Sequence, residues 1–243
     1  MDLKVKHIDC QEPPNQNHIN RKYNIVKCTF DNTNNEYRDF IHSRALTLSS
    51  TVHPGQANDS INSRNKDRRI LDSMGGLLAE YGWLKYIKTH YGNIASFTEF
   101  NQANGQIDIR LENGETIEIR SSFPRNGAKF AICHDRYNFK NICTYSNLYK
   151  PSEQAKSFFG SVLFETRKDN MLFADKIVFF LIGGSTKEMM LNDQLSYTSN
   201  LIAEDDITQQ KTKYKVIKLK NALDMEGFDH FMTDLGYEVI SAH

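Results

Sequence analysis

Apolar and polar residues follow regular spacings along most of this chain, and these spacings predict its elements. Alternation at residues 2–9 and 22–30 is typical of half-buried strands. Apolar residues recur at helical spacing across 34–50 and again across 59–90, which predicts two helices. Further strands are predicted at residues 96–100, 106–111, 116–122, 129–134 and 137–144.

The second half of the chain continues this pattern of mixed elements. A helix is predicted to open at Pro151 and to carry the apolar residues between 158 and 164. Residues 176–182 barely alternate, which favours a strand buried on both faces, whereas residues 213–219 alternate like an exposed edge strand. A helix at 225–235 and a strand at 237–240 are predicted to end the chain. The pattern predicts an α/β fold, a single domain over residues 1–243 with a central mixed β-sheet flanked by helices.

Three glycines interrupt the apolar pattern of the long second helix. Gly75, Gly76 and Gly82 lie inside it, and an interior glycine costs a helix about 1 kcal/mol relative to alanine. Close packing of the helix backbone against a sheet would explain them. A kink or a helix break near Gly75 is the alternative.

Composition narrows the class of protein. Of the 243 residues, 39% are apolar and 25% are charged, and Lys+Arg and Asp+Glu both total 30. A nucleic-acid surface on such a neutral chain must therefore be local. The four cysteines form no CxxC pair, which favours thiols in a reducing compartment. The N-terminus lacks the apolar core of a signal peptide, and the most apolar run is too short to cross a bilayer, so we expect a cytoplasmic protein without a membrane partner.

Three acidic residues carry the candidate chemistry. Asn113-Gly114 joins the strands at 106–111 and 116–122, and this dipeptide is the strongest short hairpin signal. The hairpin would bring Asp108 and Glu118 together on one face, and Glu80 lies on the preceding helix. Converging carboxylates are the ligands that Mg²⁺ prefers, with the Ile119 carbonyl as a further candidate ligand. Such a site suits phosphodiester hydrolysis.

The order of these elements and acids resembles the PD-(D/E)xK nuclease superfamily, the fold of many restriction endonucleases. The resemblance covers about residues 60–183. It implies a restriction endonuclease-like core in which Asp108 is the first metal-binding aspartate, Glu118 the second acid and Glu80 the helical acid. It also implies a metal-dependent endonuclease of restriction or defence type, with Mg²⁺ or Mn²⁺ as cofactor, DNA as partner and a homodimer as the assembly.

Arg120 stands where that family has lysine. A guanidinium stays protonated and cannot accept a proton from water, although it can hold a phosphate oxygen and stabilise developing charge. Three alternatives follow. Either metal-activated water and Arg120 suffice for catalysis, or Lys129 on the next predicted strand replaces the lysine, or the activity is lost. The last alternative leaves a nuclease-like module that binds nucleic acid or protein without cutting.

Several weaker signals surround this site. The hairpin by itself could be a solvated β-ribbon with cross-strand charge pairs. The cluster of Arg38, His42 and Arg44 is expected to form a solvated helix face. The residues predicted to contact phosphate are Arg64, Lys66, Arg68, Arg69, Ser121 and Ser122.

Overall fold

The computed structural model describes eight segments of the chain, residues 1–9, 22–51, 66–98, 108–123, 140–145, 156–201, 212–218 and 221–240. The helices are α1 (Asn35–Thr51), α2 (Lys66–Tyr91), α3 (Lys187–Leu191) and α4 (Met225–Asp234), with a 3-10 turn at Lys168–Asn170. The strands are β1 (Asp2–Asp9), β2 (Lys22–Asp31), β3 (Ala95–Phe97), β4 (Ile109–Leu111), β5 (Thr116–Ser122), β6 (Lys140–Tyr145), β7 (Phe158–Phe164), β8 (Lys176–Thr186), β9 (Ser196–Leu201) and β10 (Thr212–Lys218).

Seven strands form a mixed central sheet in the order β1-β2-β8-β7-β5-β4-β3. Strands β5 and β7 are parallel, and the other neighbours in this sheet pair antiparallel. A smaller sheet has the order β6-β10-β9. The predicted α/β class, a central mixed sheet flanked by helices, is confirmed. Within the described residues, no helix is both long enough and apolar enough to cross a membrane.

Helix α2 runs unbroken through the glycines that suggested a kink. A Cβ on Gly75 would lie 2.7 Å from the Phe123 ring, and a Cβ on Gly82 would lie 2.6 Å from the Phe179 ring. Both rings pack directly against the backbone of α2, because glycine has no side chain to keep them away. Close packing, the first of the two explanations, therefore accounts for these two glycines, and the alternative of a helix break near Gly75 is wrong. The first residues of this predicted helix, 59–65, lie outside the described residues.

The helix predicted to follow Pro151 is wrong where the chain is described, because residues 158–164 form strand β7. All seven of these residues are buried. A strand covered on both faces has no polar side and therefore shows no alternation, so a continuous apolar run does not distinguish it from a buried helix.

Two other strand predictions are corrected. Strand β10 lies between β6 and β9, so it is the central strand of its sheet rather than an edge. Alternation of apolar and polar residues indicates that one face of a strand is solvated, but it does not show whether the strand lies at the edge or in the centre of its sheet. Residues 237–240 form no strand, and the Ile240 N–H donates to the carbonyl of His90 at 2.7 Å. The strand predicted at 129–134 lies outside the described residues.

Asp229 connects α4 to the end of α2. Its carboxylate accepts hydrogen bonds from the hydroxyls of Tyr86 at 2.9 Å and Tyr91 at 2.6 Å. Burial raises the pKa of Asp229, and these two donors oppose that rise. The two phenols thus hold a partly buried carboxylate against the helix that carries the candidate site.

We expect Asp229→Ala to lower the free energy of unfolding by about 2–4 kcal/mol, because hydrogen bonds to a charged group contribute about 1.5–3 kcal/mol each. Urea denaturation followed by circular dichroism measures this loss. Asp234→Ala, at the exposed end of α4, is the matched control and should change stability by less than about 0.5 kcal/mol. Equal effects of the two substitutions would contradict the bridging role of Asp229.

Candidate functional site

Helix α2 carries Glu80 to the site near the middle of its length. The residue as a whole is half-buried, but its carboxyl group is enclosed by protein. Its neighbour along the helix, Ala79, is fully buried in the core. The carboxyl group of Glu80 is close enough to Asp108, at the start of the hairpin, for the charge of Asp108 to act on it.

The β4–β5 hairpin brings Asp108 and Glu118 together, as the sequence predicts. Gly114 adopts a positive φ of 90°, and the Leu111 N–H donates to the Glu115 carbonyl at 2.9 Å. Asp108 immediately precedes β4, and its Oδ2 accepts from the Ile119 N–H at 2.6 Å. This bond connects the first acid directly to the strand that carries the second acid.

Burial and mutual repulsion set the protonation of these acids. Burial, with the negative charge of Glu118, raises the pKa of Asp108 to about 7, although the Ile119 N–H and the charges of Arg120 and Lys156 oppose the rise. Burial and the charge of Asp108 raise the pKa of Glu80 well above its usual range, and the charge of Arg44 opposes this. Asp108 therefore interacts with both other carboxyl groups.

Two positive side chains lie among these acids. The Arg120 guanidinium forms an ion pair with Glu118, two residues before it on β5. Lys156 precedes β7 and is only 6% exposed, and its charge acts on Asp108. Lys156 is not among the predicted site residues, because the pattern predicts a helix from Pro151 onward. The parallel pairing of Ile117 with Phe158 brings Lys156 to the hairpin instead. Lys129, the other candidate cation, lies outside the described residues.

A cavity of about 810 Å³ lies along the turn of the hairpin and is lined by Lys156, whereas Glu80, Asp108 and Glu118 are not part of its lining. Positive, negative and hydroxyl side chains all line it. Its polar lining includes Arg110, Glu115, Thr116, Lys156, Ser157 and Lys187. Lys156 therefore contacts both the cavity and the electrostatic environment of Asp108.

The residues predicted to contact phosphate lie at different distances from the acids. Ser121 is half-buried and Ser122 is exposed, and both follow Arg120 on β5. Lys66 begins α2, so it lies roughly 20 Å along the helix from Glu80 at 1.5 Å per residue. Arg68 and Arg69 are half-buried in the first turns of the same helix, and Arg64 lies outside the described residues. A phosphate held by these arginines would be remote from the acids.

The donor set fits a divalent cation held by few protein ligands. Among the described residues, no three His, Cys, Asp or Glu side chains form a group that would enclose an ion. Mg²⁺ commonly takes one or two carboxylates and completes its shell with water and substrate phosphate. Asp108 and Glu118 supply two carboxylates, and a cation there would offset the repulsion that raises the pKa of Asp108. The Ile119 carbonyl remains a predicted ligand.

The metal-free protein is expected to lose stability as the pH rises from about 4 through about 7. Asp108 titrates near 7 when folded and near 3.9 when unfolded, so the folded state binds more protons in this window. The free energy of unfolding then falls with pH. Urea denaturation in EDTA across this range measures the slope, and Asp108→Asn should flatten it. Equal slopes for the two proteins would contradict the raised pKa.

No protein-family model matches the chain. The chain is 29% identical over 160 residues to an uncharacterized protein of Methanocaldococcus jannaschii, MJECS01, and the match covers 60% of this chain and 55% of that protein. The chain thus spans about half the length of this relative. No solved structure matches.

Proposed function

We propose that the protein is a metal-dependent endonuclease that hydrolyses DNA phosphodiester bonds, with a restriction endonuclease-like core. One observation carries the proposal. Asp108 lies between two other carboxyl groups, Glu80 and Glu118, and their mutual repulsion is only partly offset by Arg120 and Lys156. Perturbed groups of this kind are concentrated at functional sites. The mixed sheet and the order of helix, hairpin and buried strand support the same class of protein.

Asp108 and Glu118 would hold Mg²⁺ or Mn²⁺, with Glu80 behind them. When bound, this ion would neutralise charge on the scissile phosphate and lower the pKa of the attacking water. The hydrogen bond from the Ile119 N–H orients Asp108. Arg120 holds Glu118 in place through their ion pair.

Lys156 fits the role of the catalytic cation better than Arg120. The guanidinium of Arg120 is engaged with Glu118, whereas the buried residue Lys156 lines the cavity and its charge acts on Asp108. A charged group fixed in a water-poor site stabilises developing negative charge strongly. We therefore assign phosphate stabilisation to Lys156 and a positioning role to Arg120.

Cleavage of supercoiled plasmid DNA tests the proposed function. The full chain should nick or cut the plasmid in Mg²⁺ or Mn²⁺ and should be inactive in EDTA. Absence of cleavage with either ion, by protein shown to be folded, would reject the endonuclease. The alternative would then be a nuclease-like module that binds nucleic acid or protein without cutting it.

We expect Lys156→Met to lower kcat by about 10²–10³-fold, the usual effect of removing one group that stabilises the transition state. Methionine retains most of the volume of the buried side chain. Because the charge of Lys156 opposes the rise in the pKa of Asp108, the variant should also require a higher pH for activity. Lys187→Met, an exposed lysine of the same cavity, should behave like the wild type. Equal losses in both variants would remove the special role of Lys156.

A further inference from the structure

Helix α1 presents aromatic rings to solvent beside the candidate site. Tyr37 is 43% exposed and Phe40 is 45% exposed. The guanidinium carbon of Arg44 lies 5.6 Å from the ring centre of Phe40 and 5.9 Å from that of Phe97. We call these four residues the α1 aromatic face. Its two exposed rings, those of Tyr37 and Phe40, lie outside the hydrophobic core.

The α1 aromatic face is continuous with the candidate site. Ile41 and Ala45 are buried and hold α1 against the core that includes α2. Arg44 lies over Phe97, and Phe97 pairs with Ile109, the residue that directly follows Asp108. The charge of Arg44 also acts on Glu80. The α1 aromatic face therefore extends to the strand that begins one residue after Asp108.

The chemistry of the face matches nucleic-acid bases. Exposed aromatic rings bind bases by stacking, and a guanidinium stacks on a base or holds a phosphate. In a double helix the faces of the bases are covered by their neighbours in the stack. Exposed rings that bind DNA by stacking therefore recognise bases that have left the duplex. Arg44 adds the positive charge that the DNA backbone requires.

We propose that the α1 aromatic face stacks on unpaired bases of the DNA strand that enters the carboxylate site, so that the preferred substrate is single-stranded DNA or a duplex with an unpaired stretch. This inference rests on the proposed endonuclease function, because it places the scissile strand at Asp108 and Glu80. It adds to that function a preference for DNA with unpaired bases.

Fluorescence anisotropy in EDTA measures binding without cleavage. The full chain is titrated into labelled single-stranded DNA of about 20 nucleotides, the duplex of the same sequence, and the matching single-stranded RNA. We expect single-stranded DNA to bind at least about tenfold more tightly than the duplex. Phe40→Ala should weaken this binding by about tenfold, and Tyr37→Ala by a similar factor, in line with the loss of one stacked base.

Two variants of Phe40 separate stacking from general apolar contact. Phe40→Trp keeps an aromatic face and should preserve binding, whereas Phe40→Leu keeps an apolar side chain and should weaken binding as Phe40→Ala does. Leu46→Ala is the matched control, because Leu46 is 48% exposed on the same helix but lies roughly 120° around it from Phe40. It should bind like the wild type.

Each outcome decides the inference. Tighter binding to the duplex, wild-type affinity of Phe40→Ala, or full retention by Phe40→Leu would overturn it, and the last result would favour a protein partner. A preference for RNA would overturn the choice of DNA. The plasmid assay is independent of this one. If DNA binding depends on Phe40 but the protein never cuts DNA, the endonuclease is rejected and the stacking surface is retained. If the protein cuts DNA but its binding does not depend on Phe40, the endonuclease is retained and the stacking surface is rejected.

Discussion

Asp108→Asn is expected to abolish metal-dependent DNA cleavage and to raise the stability of the metal-free protein at neutral pH. Asparagine keeps the shape of the side chain and an oxygen that accepts from the Ile119 N–H. It removes the negative charge that would hold the cation, so we expect cleavage to fall by at least about 10³-fold. It also removes the repulsion between Asp108 and Glu118, and the negative charge of Asp108 that contributes to the raised pKa of Glu80.

The opposite directions of these two effects make the experiment specific. Plasmid cleavage at saturating Mg²⁺ measures activity, and urea denaturation in EDTA at about pH 8 measures stability. Near pH 5 the stability difference should shrink, because Asp108 of the wild type is then protonated and uncharged. Glu112→Gln, an exposed carboxylate on the same hairpin, is the control and should change neither quantity.

Two results would count against this site. If Asp108→Asn cuts DNA like the wild type, the three acids do not form the active site. If the variant is inactive but less stable than the wild type at pH 8, the carboxylate is a structural group, and its loss of activity reflects damage to the hairpin.

Gly184→Ala is expected to destabilise the protein by more than about 4 kcal/mol, a size reserved for severe steric or core defects. A Cβ on Gly184 would lie 1.9 Å from the carbonyl oxygen of Phe159 in the neighbouring strand. The backbone of Gly184 also exchanges hydrogen bonds of 2.9 Å and 2.8 Å with Leu223. Backbone therefore confines this residue on two sides, and no rotamer change can make room for a methyl group.

Urea denaturation, or the yield of folded protein if the variant does not fold, measures this effect. Gly76→Ala is the matched control, because a Cβ there meets nothing nearer than the Glu80 carboxylate at 3.9 Å. In a helix interior this substitution is expected to stabilise by about 0.5–1 kcal/mol. A Gly184→Ala variant within 1 kcal/mol of the wild type would contradict the close approach of β7 and β8.

The sequence alone determined the features of this protein that depend on near neighbours. Alternation defined β1 and β2, helical spacing defined α1 and the described part of α2, and Asn113-Gly114 defined the hairpin. The hairpin then paired Asp108 with Glu118 because a tight turn sets the register of the two strands it joins. The candidate acids were therefore visible in the sequence.

Tertiary structure decided which positive groups meet these acids and how the acids are protonated. Lys156 reaches Asp108 only because β7 pairs parallel with β5. Because β7 is buried along its whole length, its sequence shows no alternation, and the pattern predicted a helix there instead of a strand. Arg44 reaches Glu80 only because α1 packs against the core that includes α2. The pKa of Asp108 depends on burial above all. Contacts between distant segments and the exclusion of water arise from packing, which local spacing along a chain does not encode.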